Sequence, residues 1–344
     1  MAVTTQTPSA PAPGWLRNPV FDLSLIWGLT LLSLAAGFAI AAEPLMIGPI
    51  LLADFWLLGC PHVAATFTRM APDKNGFLGH RFLIFGLPVI VIAATATLAL
   101  SFGIVLVATI YFYWQWFHTL RQSWGIAQLY RRRSAVPVRE SAFAGEALFT
   151  LVALWGLLHR LTTAPDYFLF PVFQISVPQV PVWLADTVGA FAVAGLLWWA
   201  YERVRDYIDG QLPLAHTLFS LSHYVIFIFG YVLLDNVAGG WIVTNIWHTS
   251  QYMMLVWLFN ENAKPKIAPA AWYARITKGN RVILFFAVCA LAPFPLYFTI
   301  NQMFGWGAAG IMAAVIINQT MNFHHFLVDS VIWRARRKPV GAPS

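Results

Sequence analysis

Long apolar runs, separated by short loops that hold most of the charge, constrain this chain more than any other feature. About 20 apolar residues cover a ~30 Å hydrocarbon core at a helical rise of ~1.5 Å per residue. Lipid offers the backbone no hydrogen-bond partners, so such runs read as helices. Ten of them, of roughly 18 to 28 residues, lie at 21–41, 46–69, 81–101, 104–130, 141–159, 182–201, 213–234, 237–260, 281–300 and 306–333. The predicted fold class is therefore all-α, a polytopic transmembrane helical bundle of about ten spans. Pro293 and Pro295 fall inside the ninth run and should kink or break it. Only 10% of the 344 residues are charged, too few to clothe a soluble domain of this size.

Three regions follow. Residues 1–20 lack the apolar core of a cleavable signal peptide and read as a disordered cytoplasmic tail rich in Pro, Ser, Thr and Ala. Residues 21–333 form a single transmembrane domain, and 334–344 a basic cytoplasmic tail. The connectors near 161–181 and 261–280 have room for short interfacial segments. Cys60 and Cys289 both lie in apolar runs, so neither a disulfide framework nor a thiolate metal site is expected.

Basic residues set the orientation. Arg17 precedes the first run, and Arg69, Lys74 and Arg81 flank the second loop. Arg131, Arg132, Arg133 and Arg139 follow the fourth run, and Arg203 and Arg205 the sixth. Lys264, Lys266, Arg275, Lys278 and Arg281 follow the eighth, and Arg334, Arg336, Arg337 and Lys338 the tenth. Every second loop is basic, with Arg160 the clear exception. Both termini are thus expected in the cytoplasm and the chain in the cytoplasmic (inner) membrane. The net charge of +7 is assigned to topology and anionic headgroups, not to nucleic acid.

Against this apolar background the histidines stand out. His80 and His159 fall at loop or helix ends and read as interfacial. His62, His118, His216, His223, His248, His324 and His325 fall inside runs two, four, seven, eight and ten. Counted from the basic ends at ~1.5 Å per residue, all but the shallower His216 share a layer roughly 12–18 Å from the cytoplasmic surface. At ~100° per residue, Asn318, Asn322, His325 and Asp329 share one face of the tenth run. Gln115, His118 and Gln122 share one of the fourth, and Asn245, His248 and Tyr252 one of the eighth. Asp54 lies deeper than His62, about 80° round the helix. A ligating imidazole usually passes its second N–H to such an amide, carboxylate or phenol.

The pattern predicts a multi-histidine metal site. The primary ligand candidates are His62, His118, His223, His248, His324 and His325, with His216 and Asp329 beside them. Asp54, Gln115, Gln122, Asn245, Tyr252, Asn318 and Asn322 are candidates for hydrogen bonding to ligands or for positioning substrate. An imidazole-dominated set suits iron, copper or zinc. The YFYWQWFH run reads as aromatic packing before it reads as a substrate wall, and Arg121 as a side chain that snorkels to the interface.

The pieces GCPHVAATFTR, WQWFHTLRQSWG, HTLFSLSH, NIWHTSQY and NFHHFLVD carry a resemblance. Histidines gathered from several membrane helices near the cytoplasmic face resemble the integral-membrane non-haem iron oxygenases: the desaturase and hydroxylase superfamily and the bacterial carotene-cleaving dioxygenases. The HxxxH and HxxHH boxes of desaturases are absent, so only the reaction class is carried over. The resemblance implies non-haem iron, mononuclear or dinuclear, dioxygen, a lipid or isoprenoid substrate, and an electron donor docking on the basic cytoplasmic loops. Three other readings use the same residues. They are a haem or haem–copper protein, a proton- or metal-coupled transporter, and a non-catalytic assembly or sensor protein.

Overall fold

A computed structural model of the chain describes residues 13–70, 74–163, 167–170, 173–262 and 272–333. The predicted apolar runs are helical. In chain order the elements are α1 (Pro19–Ala42), α2 (Pro44–Met70), α3 (Lys74–Gly79), α4 (Phe82–Phe102), α5 (Ile104–Arg133) and α6 (Ala142–Thr163). Two short paired strands follow, β1 (Tyr167–Phe170) and β2 (Phe173–Ile175). Then come α7 (Val182–Ile208), α8 (Leu214–Leu233), α9 (Val237–Asn262), α10 (Trp272–Thr277), α11 (Val282–Leu291), α12 (Phe294–Met303) and α13 (Gly307–Ile332). The strand pair and α10 occupy the two connectors that had room for interfacial segments. The predicted break in the ninth run falls between α11 and α12, at Ala292–Pro293, where proline cannot continue the ladder.

Among the described residues, seven segments are long and apolar enough to cross a membrane: α1, α2, α4, α6, α7, α8 and the joined α11–α12. The sequence reading counted ten. The other three, α5, α9 and α13, have 30, 26 and 26 residues, so length is not what separates them. Their amides, imidazoles and charges lower their hydropathy. Large side chains such as Leu31, Phe38, Leu57, Phe85, Leu100, Phe191 and Leu197 are exposed, whereas Asp54, His62, Thr66, Gln251 and His325 are buried. Apolar groups outside and polar groups inside suit a lipid surround.

The chain divides into two compact units: residues 1–52, 117–167 and 177–251, and residues 53–116, 168–176 and 252–344. In the first unit a carboxylate anchors the start of α1. Asp22 is fully buried and accepts from the backbone N–H groups of Leu16, Arg17 and Asn18 at 3.0, 3.0 and 3.1 Å. The Tyr130 hydroxyl donates to it at 2.7 Å, tying the N-terminal segment to the end of α5. Elsewhere α8 and α9 approach almost backbone to backbone. A Cβ on Gly240 would stand 1.9 Å from the Gly230 carbonyl oxygen, so only glycine fits there. Arg160, the exception to the charge alternation, is buried. It donates to the carbonyls of Gly230 and Asp235 at 3.4 and 3.3 Å, so it satisfies the end of α8 instead of marking a loop.

The same unit carries a buried ion network. Arg203 donates to Glu140 at 2.6 Å and pairs with Asp206 at 2.9 Å, all three side chains being at most 6% exposed. Arg139 bridges Asp206 to the exposed Asp209. In the second unit the helices meet through aromatic packing. Val91, Ala99 and Val107 pack with Val315, Phe323 and Phe326. Trp114 stacks on Phe323 with ring centroids 5.3 Å apart, and Tyr111 on Phe326 at 6.2 Å. Part of the YFYWQWFH run is therefore core, as expected, while Phe117 points outward.

Removing one member of a buried ion pair strands its partner, at a cost of about 3–5 kcal/mol, whereas an exposed member costs little. Glu140→Ala is expected to lower the thermal unfolding midpoint in detergent sharply, and Asp209→Asn to leave it within a degree or so. Gly240→Val is expected to destabilise by at least ~3 kcal/mol through backbone overlap. A denaturation series on the purified variants checks all three.

Candidate metal centre

The second unit gathers one set of polar side chains from three helices. α2 contributes His62 and Thr66, four residues apart and hence on one face. α9 contributes Tyr252. α13 contributes His325 and Asp329, again four apart. A π-turn at Phe55–Gly59 precedes His62, with Cys60 N–H donating to the Phe55 carbonyl. Pro61, which has no N–H of its own, follows at once. A π-turn takes an extra residue, so face arithmetic at 3.6 residues per turn fails between Asp54 and His62. The expected 80° offset therefore does not apply, although Asp54 is buried as a site residue would be.

The geometry is tight. His62 Nε2 and His325 Nε2 face each other at 2.7 Å, with ring centroids 4.4 Å apart. Asp329 Oδ2 lies 3.8 Å from His325 Nε2. Thr66 Oγ1 is 2.7 Å from His325 Nδ1 and 2.8 Å from Tyr252 Oη, and Tyr252 donates to Asp329 Oδ1 at 2.7 Å. The Tyr252 ring packs on His62 at 4.3 Å. All five residues are buried. Beside them Arg69 lies over the rings of Trp333 and Phe259 at 5.2 and 5.7 Å and donates to Asn260 at 3.3 Å, which packs this end of α2 against α9 and the end of α13.

Two buried imidazole nitrogens thus face each other, and a carboxylate oxygen lies 3.8 Å from one of them. A metal ion with ligand bonds of ~2.0–2.1 Å at ~90° needs its nitrogens about 2.9 Å apart, so the His62–His325 pair would open by only a few tenths of an ångström. Two axial ligands of a haem would need about 4 Å between their nitrogens, which this pair does not provide. His62, His118 and His325 are each buried and each offers a ring nitrogen able to ligate a metal. His62 and His325 belong to the second unit and His118 to the first.

The remaining candidates have distinct surroundings. In the first unit His118 meets His248 edge to face at 5.1 Å, and Gln122 donates to the His248 carbonyl at 3.0 Å. Asn245, one turn from His248, accepts at its own carbonyl from Thr249 at 2.8 Å. His223 has both ring nitrogens occupied. Nε2 meets the Phe149 carbonyl at 3.2 Å and so must carry the proton, and Nδ1 accepts from Ser123 at 2.8 Å. That is a satisfied core histidine, stacked on Phe149 at 4.1 Å. His216 lies 3.9 Å from Glu140, within the buried ion network. In the second unit His324 turns away from His325 and donates through Nε2 to the Leu83 carbonyl at 2.6 Å. Asn322 donates to Gln319 along its own helix at 3.1 Å, Asn318 is half-buried, and Gln115 is buried.

α5 has 30 residues and is therefore ~45 Å long, well over a ~30 Å core. Arg121 pairs with Glu146, in the second turn of α6, and does not simply snorkel alone. Arg121 is thus level with the start of α6. Thr66 was not legible in the sequence. A helical threonine ordinarily returns its hydroxyl to its own backbone, as Thr30, Thr95 and Thr320 do here, and nothing in CPHVAATFT marks Thr66 as different.

No protein-family model, no curated protein and no solved structure matches this chain. The site is therefore read from its own chemistry.

His223→Ala removes a packed ring and takes away its hydrogen bonds with the Ser123 hydroxyl and the Phe149 carbonyl. It is expected to cost about 2–4 kcal/mol of stability. Unfolding by denaturant in detergent measures it, and a change below about 1 kcal/mol would refute the satisfied-core assignment.

Proposed function

We propose that this chain is an integral-membrane, metal-dependent oxidoreductase acting on a lipid or isoprenoid substrate. His62, His325 and Asp329 hold a non-haem iron ion in this reading. The observation that carries it is the pair of Nε2 atoms 2.7 Å apart with a carboxylate oxygen 3.8 Å from one of them, all buried. Two imidazoles and one carboxylate are the donor set that suits ferrous iron with open positions for other ligands. A bound ferrous ion supplies dioxygen chemistry on C–H or C=C bonds.

The chain's own residues do the rest. Tyr252 and Thr66 orient the ligands. His325 adjoins Phe326 at 5.7 Å, and Phe326 belongs to the aromatic cluster of Tyr111, Trp114 and Phe323. That apolar lining excludes water and favours an apolar substrate over a dissolved polar one. The nitrogen spacing argues against a haem between His62 and His325. The ten-span topology, cytoplasmic termini, inner-membrane location and a donor docking on the basic loops complete the reading. The alternation of basic loops supports the topology. A reporter fused after Lys338 tests it, and an extracytoplasmic signal would end the depth argument.

Elemental analysis and a visible spectrum of detergent-purified protein, prepared anaerobically, test the site. Near-stoichiometric iron without a Soret band is expected. His62→Ala and His325→Ala should lower metal content at least tenfold, Asp329→Asn should weaken retention by about 10–100-fold, and His223→Ala should keep it. A Soret band would establish the haem alternative. Absence of metal after reconstitution with Fe(II) would leave the same groups as a proton or packing network, and transport assays would replace the lipid substrate screen.

A further inference from the structure

With Asp329 ionised, as the donation from Tyr252 requires, the hydrogen bonds around Thr66 contain fewer protons than contacts, and counting them fixes the state of His325. Tyr252 donates to Asp329 Oδ1 at 2.7 Å. A phenol has one proton, so towards Thr66, 2.8 Å away, Tyr252 can only accept. Thr66 must therefore donate in that direction. A hydroxyl also has one proton, so towards His325 Nδ1, 2.7 Å away, Thr66 can only accept. His325 must carry its proton on Nδ1, and in the neutral ring the lone pair is then on Nε2. That is the atom 2.7 Å from His62 Nε2 and 3.8 Å from Asp329 Oδ2.

We infer that Thr66 and Tyr252 are positioning residues that carry the acceptor character of the Asp329 carboxylate to His325 Nδ1, locking the imidazole in the tautomer that presents Nε2 to a metal ion. The inference rests on the metal-centre reading given above. Asp329 then has two tasks: Oδ1 anchors the chain of hydroxyls, and Oδ2 faces the ion position. His62 is placed differently. In the metal-free protein its Nε2–H fills the 2.7 Å gap by donating to His325, so one proton stands where the ion would go. Thr66 is free for this role because its hydroxyl bonds side chains from α9 and α13, unlike Thr30, Thr95 and Thr320, which bond their own backbone.

The test uses the full chain in detergent, with imidazole ¹⁵N-labelled histidine and Co(II) as the probe ion. His325, assigned by its loss in His325→Gln, is expected to show the Nδ1–H tautomer without metal. Thr66→Val removes the acceptor at Nδ1. It should shift His325 to Nε2–H and weaken Co(II) binding by about 10–100-fold. Thr66→Ser keeps the hydroxyl and should retain the wild-type tautomer, with Co(II) affinity within about threefold of wild type. Tyr252→Phe frees the Thr66 proton to point at Nδ1, so it should act like Thr66→Val without touching His325. It also provides a second route should Thr66→Val fold poorly. A merely structural role would lower stability without moving the tautomer. An Nδ1–H signal that persists in Thr66→Val and Tyr252→Phe, or equal Co(II) affinity in all variants, overturns the inference while the metal centre stands. A wild-type Nδ1–H signal with no Co(II) uptake overturns the metal centre instead and leaves the tautomer assignment in place.

Discussion

A polar group removed from water must find its partner inside the protein, and most of what is distinctive here follows from that demand. Asp22 is held by three backbone N–H groups and a phenol, Arg203 by Glu140 and Asp206, and Arg160 by the carbonyls ending α8. Each meets its partners among other protein groups. The cluster at His62 and His325 is different in kind. Two imidazole nitrogens face each other at hydrogen-bond distance, and a carboxylate oxygen stands beyond hydrogen-bond range of one of them.

The packing around that cluster serves it. The π-turn at Phe55–Gly59 and Pro61 re-phase α2 just before His62, and the i, i+4 spacing then puts Thr66 on the same face. His325 and Asp329 use the same spacing on α13. Tyr252 closes the arrangement from α9, its ring packed on His62 and its hydroxyl shared between Thr66 and Asp329. The aromatic cluster of Tyr111, Trp114, Phe323 and Phe326 keeps the surroundings apolar. Low polarity strengthens every charged contact in such a site and raises the cost of leaving any one unmade.

The histidines also show where pattern reading loses resolution. All seven positions inside the apolar runs looked alike as a set, because depth and helical face are the only coordinates that sequence supplies. The structure separates them by partner. His223 is satisfied by Ser123 and Phe149, His324 donates to the Leu83 carbonyl, and His216 faces Glu140. His118 packs on His248, and His62 meets His325 nitrogen to nitrogen.

The sequence by itself determined the helical class, the break at Pro293 and the list of residues from which a site had to be drawn. Those follow from composition, from proline's missing N–H and from the cost of polar groups in lipid, all of which act locally. Tertiary structure alone decided which histidines meet, because partners 263 residues apart in the chain leave no periodicity to read. It alone gave Thr66 a role, since a threonine that bonds its own backbone and one that bonds two other helices have the same letter and the same helical setting. Among the described residues, seven helices are long and apolar enough to cross a membrane. The other three long helices, α5, α9 and α13, carry His118, His248, Tyr252, His325 and Asp329, and such polar side chains lower their hydropathy.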